Sequence, residues 1–133
     1  MSTSSSPTAP SPSGPTPVII SGVRGRMGQA IWRLAAADPE IRIVGGLERV
    51  ARTGEATLAP EAPIMSDLAA LEAPAGTVLI EFTTPEATVE HARLAAERGL
   101  KMVVGTTGLT ADQMDELRAA ARTTAVLQAA NMS

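Results

Sequence analysis

The chain contains no cysteine, one histidine, one lysine and, among aromatic residues, one tryptophan and one phenylalanine. Each shortage narrows what the protein can be. Without cysteine there are no disulfides and no thiolate metal sites, no metal is expected, and the composition suits a reducing compartment. With so few aromatics the core has to be assembled from Val, Ile, Leu, Met and Ala. The basic residues are almost all arginine, Lys101 being the one lysine, and the net charge of −3 gives no reason to invoke nucleic acid. No apolar run is long enough to cross a bilayer, so no membrane partner is expected. Residues 1–17 are Ser, Pro, Thr and Gly with no Arg or Lys and almost no apolar content. Such a segment cannot bury enough surface to offset ordering, so a disordered tail is expected, without the marks of a secretory signal or transit peptide. The expected location is the cytoplasm.

What the chain does have begins at Val18-Ile19-Ile20-Ser21, a short buried-strand run leading into Gly22-Val23-Arg24-Gly25-Arg26-Met27-Gly28. Gly22 lets the chain turn straight off the strand, Gly25 keeps side chains away from the surface where a pyrophosphate would meet backbone N–H groups, and Gly28 allows close packing of the helix that follows. This is a dinucleotide-binding signature written G-x-x-G-x-x-G, with Arg24 where the middle glycine of G-x-G-x-x-G usually stands. Helical spacing of Met27, Ile31, Leu34 and Ala35 predicts a helix over residues 26–37, stopped by Asp38-Pro39. A β-branched run over 41–47 then ends at Glu48, about twenty residues after Gly28, where the dinucleotide fold puts an acid against the adenosine ribose. Arg49 follows and could pair with a 2′-phosphate, as could Arg24, Arg26 or Arg52, so NAD and NADP both stay open.

The remainder alternates in the same way. Residues 51–63 read as a loop, 63–66 as a short strand, and Ser66 as the cap of a brief helix over 67–71. A buried strand is predicted over 77–82, followed by a helix opened by threonine and Pro85 and closed at Gly99. A strand over 101–105 leads into Gly105-Thr106-Thr107-Gly108. Thr110 and Gln113 form a capping box for a helix with Met114, Leu117 and Ala121 inward, and a last strand covers 125–129. Alternation of this kind predicts a doubly wound parallel sheet with right-handed crossovers, a Rossmann-like α/β fold. Ligands of such sheets sit beyond the carboxyl ends of the strands, so the loops at 22–28, 48–49, 82–84, 105–107 and 129–132 are expected to converge on one crevice. His91 falls mid-helix, where packing or surface exposure is its expected role, and Lys101 leads a strand at the end away from the crevice.

The set Gly-x-x-Gly-Arg-Met-Gly at 22–28, Glu48-Arg49, Glu81-Phe82-Thr83-x-Pro85-Glu86, Val103-Val104-Gly105-Thr106-Thr107-Gly108 and Ala129-Ala130-Asn131-Met132-Ser133 resembles the 4-hydroxy-tetrahydrodipicolinate (dihydrodipicolinate) reductase family. The likeness runs from about residue 18 to 133. It implies an oxidoreductase of lysine and diaminopimelate biosynthesis that reduces a cyclic dicarboxylate with NADH or NADPH. It implies pyrophosphate contacts at Gly22, Val23, Arg24, Gly25, Arg26 and Met27, ribose at Glu48 and a 2′-phosphate at Arg49. The nicotinamide end would meet Gly105, Thr106, Thr107, Ala129, Ala130, Asn131 and Met132. The family commonly has Asp where this chain has Glu81 and Phe where it has Met132. Family members continue into a second domain with a His-His-x-x-Lys type motif that supplies proton donor and substrate clamp and supports homo-oligomers. That motif is absent from these 133 residues, so residues 18–133 are expected to be the NAD(P)-binding part of a longer reductase, without catalytic residues of their own and with a reading frame continuing past Ser133. A free-standing NAD(P)-binding or redox-sensing module, or a relative kept as a scaffold, are the alternative readings.

Overall fold

A computed structural model describes residues 14–48 and 62–128. In chain order the elements are β1 (Thr16–Ser21), α1 (Arg26–Ala36), β2 (Ile41–Leu47), β3 (Ile64–Met65), a 3-10 turn (Leu68–Ala70), β4 (Val78–Glu81), α2 (Pro85–Arg98), β5 (Lys101–Val104), α3 (Ala111–Ala120) and β6 (Val126–Gln128). All five pairings are parallel and the strands lie in the order β3-β2-β1-β4-β5-β6. The direction of winding therefore reverses between β1 and β4, and the carboxyl ends of these two central strands open the crevice characteristic of doubly wound sheets. The first strand takes in Thr16 and Pro17, two residues of the segment expected to be tail; Thr16 N–H donates to the Glu40 carbonyl at 2.8 Å.

Burial divides the core into two layers. On one face Val18, Ile20, Val23 and Ile43 pack with Trp32 and Ala35 of α1. On the other, Ile19, Leu47, Leu79, Met102 and Val104 pack with Ala92 and Ala95 of α2, Leu117 and Ala120 of α3 and Leu68 of the 3-10 turn. Strands buried on both faces read as continuous apolar runs, which is why β1 and β4 show little alternation.

Four local expectations are corrected here. The inward stripe of α1 is Gly28, Trp32 and Ala35, whereas Met27 and Leu34 are 53 % and 72 % exposed. The reason lies in β2. Its register with β1 slips after Val18, so that Ile19 faces Gly45 rather than Val44. Val44 packs with the α2-side core, and a Cβ on Gly45 would lie 2.7 Å from Leu71 on that same side. A Cβ on Gly46 would lie 2.9 Å from the Trp32 ring, so a glycine opposite α1 makes the room that the indole fills. Second, the 3-10 turn is capped by Asp67, which accepts from Ala69 N–H at 3.0 Å, and not by Ser66. Third, the inward residue at the end of α3 is Ala120; Ala121 is exposed. Fourth, β4 starts at Val78, because the Thr77 hydroxyl and N–H both turn back to the Pro74 carbonyl, at 2.6 and 3.1 Å.

Candidate functional site

The site is built on the strand ends. Beyond the strands proper, the parallel ladder is prolonged by Gly22 N–H to the Leu47 carbonyl at 2.9 Å, Phe82 N–H to Ser21 at 3.1 Å and Gly105 N–H to Glu81 at 2.8 Å. The loops after β1, β2, β4 and β5 thus leave from one rim. A cleft of about 800 Å³ opens there, bounded by Ser21, Gly22 and Gly25 on the β1 side, Leu47 and Glu48 at the end of β2, Ser66 to Leu68 before and in the 3-10 turn, Phe82 to Thr84, and Ala87, Glu90, His91 and Leu94 of α2.

The three glycines of the first turn have different jobs. Gly22 has φ +91°, and a Cβ there would sit 2.2 Å from the Phe82 carbonyl oxygen. A Cβ on Gly28 would sit 1.9 Å from the Gly22 carbonyl oxygen, so the first turn of α1 presses on the glycine turn itself. Gly25 is different: a Cβ would meet nothing closer than 3.6 Å. It is exposed, it lines the cleft, and it is the N-cap of α1. That helix has no side-chain cap and no acid in its first turn. The other two helices differ, with Thr84 and Glu86 on α2 and the Thr110/Gln113 capping box with Asp112 on α3. The first N–H groups of α1 thus have neither a side-chain cap nor a first-turn acid to meet them.

Glu48 closes the other side of this turn. Its Oε1 accepts from Arg24 N–H at 2.9 Å, tying the end of β2 to the glycine turn, and a carboxylate retains further acceptor capacity on its second oxygen.

A buried acid sits under the centre of the rim. Glu81, the last residue of β4, is 0 % exposed. Its two oxygens lie 2.9 and 3.0 Å from His91 Nδ1, and Thr83 Oγ1 donates to Oε2. Burial works against the charged imidazole, but the hydrogen bond and charge of Glu81, helped by Glu90 and Asp67, outweigh it and hold the His91 pKa above the ordinary 6.5. His91 is therefore neither a surface residue nor plain packing; its ring pairs with an acid buried beneath the cleft. The signal in the sequence was an acid closing the apolar run of β4, since a carboxylate in such a run needs a partner.

Of the residues the sequence singled out, Gly22, Gly25 and Glu48 line the cleft together. Val23 is buried in the α1-side core, and Arg26 and Met27 are exposed at the start of α1. Gly105 and Thr106 stand behind the Phe82 and Thr83 part of the cleft wall, and Thr107 after them is exposed. A Cβ on Gly105 would come 2.0 Å from the Phe82 ring, and Thr106 is buried, its Oγ1 accepting from Thr83 N–H at 3.0 Å and 2.8 Å from the Thr88 hydroxyl. That loop thus braces Phe82 and Thr83 from the β5 side. Arg49, Ala129, Ala130, Asn131 and Met132 lie outside the described residues.

This strand order with its glycine turn and its rim cleft defines a Rossmann-like α/β domain. Residues 16–132 match the family model described as "Dihydrodipicolinate reductase, N-terminus", and the chain belongs to that family. It is 42 % identical over 119 residues to the 4-hydroxy-tetrahydrodipicolinate reductase of Nitratidesulfovibrio vulgaris strain Miyazaki F, covering 89 % of this chain and 46 % of that protein. It is 43 % identical over 125 residues to the enzyme of the same name from Rubrobacter xylanophilus, covering 87 % and 45 %. The chain thus spans about half the length of the curated relatives it matches. In fold it is similar to dihydrodipicolinate reductase from Paenisporosarcina sp. TG-14, a structure with dipicolinate bound, at a TM-score of 0.64 and 24 % identity over 80 % of this chain and 43 % of that one.

Proposed function

We propose that this chain holds the nicotinamide dinucleotide of a 4-hydroxy-tetrahydrodipicolinate reductase of lysine and diaminopimelate biosynthesis, with NADH or NADPH laid along the rim cleft. The observation that carries the reading is Gly25: of the three α-helices described, only the one entered from the glycine turn starts without a side-chain cap or a first-turn acid, and it starts at the cleft. In the proposed pose the pyrophosphate lies over Gly22 and Gly25 against the first N–H groups of α1, and Glu48 accepts from the adenosine ribose. The resemblance adds Arg24, Arg26, Met27, Arg49, Thr107 and residues 129–132 to the proposed cofactor site, with Gly105 and Thr106 supporting it from behind Phe82 and Thr83. The bound dinucleotide supplies the hydride, and the chain's part is to hold it and fix its orientation.

The reading includes a division of labour. Lys101 is the exposed first residue of β5, at the amino end of that strand and so at the end away from the cleft, and His91 Nδ1 is committed to Glu81. Neither is placed to clamp a dicarboxylate, so proton donor and substrate clamp are assigned to the second half of a full-length reductase. The test is calorimetric titration of the chain with NADH and NADPH, alongside Glu48→Ala. Saturable binding that weakens about tenfold in the variant, a change of about 1.4 kcal/mol, supports the reading. Absence of binding to both cofactors, or binding indifferent to Glu48, overturns it.

A further inference from the structure

His91 and Glu81 have no part in the cofactor contacts just assigned, yet together they line and underlie the same cleft. With Glu81 ionised, its two oxygens can only accept, and the ring nitrogen 2.9 and 3.0 Å from them is the one that carries the hydrogen. Nδ1 is consequently an N–H in both charge states of the ring. Nε2 alone changes: in the neutral ring it accepts, in the charged ring it donates. His91 is largely buried, its side chain 13 % exposed, and it borders from α2 the cleft that Glu48 also lines. A dinucleotide whose ribose met Glu48 would share this cleft with His91.

We propose that Glu81 is a positioning residue that fixes the tautomer of His91, and that the charged His91 ring donates a hydrogen bond from Nε2 to an acceptor on the adenosine half of the bound dinucleotide, so that proton uptake and cofactor binding reinforce each other. This rests on the cofactor reading above. The surroundings favour the charged ring. Glu81 faces it from β4, Glu90 lies beside it on α2, and Asp67 reaches it from the segment before the 3-10 turn, while Glu48 and Glu86 also line the cleft. Thr83, which donates to the same carboxylate, carries the arrangement into the loop that forms the cleft wall.

Because His91 is the sole histidine, its ring signals in a nitrogen-15 NMR titration of the full 133-residue chain need no assignment. At high pH the ring nitrogen bearing hydrogen is expected to be Nδ1, and saturation with NADH is expected to raise the His91 pKa by about one unit, equivalent to roughly tenfold tighter binding of the charged form. Calorimetry should then show NADH affinity falling as pH rises through that value, with the fall abolished in His91→Gln. A neutral ring protonated on Nε2, or a His91 pKa that does not rise while NADH demonstrably binds, overturns this inference and leaves the cofactor reading standing. No NADH or NADPH binding at any pH overturns both.

Discussion

At the scale of single residues, the glycine turn separates structural from functional roles. Gly28→Ala would place a methyl carbon 1.9 Å from a backbone oxygen that has no rotamer to move into. The turn would have to shift, and a loss of about 3 kcal/mol is expected in urea unfolding, the upper part of the range for overpacking. Gly25→Ser is expected to behave in the opposite way. Its Cβ has room, its backbone at φ −74°, ψ 167° suits any residue, and a serine hydroxyl would cap α1. Stability should rise by a few tenths of a kcal/mol, about the usual difference between Ser and Gly at that position. The same hydroxyl would compete for the N–H groups that the proposed pose gives to the pyrophosphate, so NADH affinity should fall. A serine variant that gains stability and keeps full affinity would remove the anion role from this helix end.

At the scale of elements, the cleft wall before α2 is held by a distant side chain. Arg98, in the last turn of α2, donates to the carbonyls of Leu68 and Leu71, each at 2.9 Å, and so ties the 3-10 turn to the sheet's α2 layer. Arg98→Met keeps much of the apolar stem and deletes both charge-assisted bonds. A loss of about 2 kcal/mol is expected in denaturant unfolding, together with weaker cofactor binding because Ser66, Asp67 and Leu68 form that wall. Elements differed in how plainly they could be read beforehand. Helix α2 was legible from end to end, since Thr84, Pro85 and Gly99 are local signals, and Gly99 adopts φ +73°. The inward face of α1 was not, because an exposed Leu34 and an exposed Met27 have the same spacing as a buried stripe. Only the partner strand decides between them, and the slip in β2 that turns Gly46 toward Trp32 leaves no mark on local periodicity.

At the scale of the whole molecule, alternation of strands and helices made a parallel sheet legible, and the convergence of Gly22, Glu48 and Phe82 on one rim followed from it. The pairing of Glu81 with His91 did not, because the two stand ten positions apart in the chain, across a turn and into a helix, and only the docking of α2 on β4 brings them together. That docking has a consequence for stability against pH. The folded state raises the His91 pKa above 6.5, chiefly through the hydrogen bond and charge of Glu81 overcoming the opposing effect of burial. The folded form therefore binds this proton more tightly than the unfolded chain, whose histidine titrates near the ordinary value of about 6.5. The resulting stabilisation is fully present below that value and is lost as pH rises through the folded pKa. Urea midpoints measured from about pH 6 upward, within the ordinary range of histidine titration, should fall with rising pH, and the fall should disappear in His91→Gln. A midpoint that rises over the same interval would mean that burial, not the buried carboxylate, governs the histidine, and that the layer of α2 on the sheet is held without the ion pair.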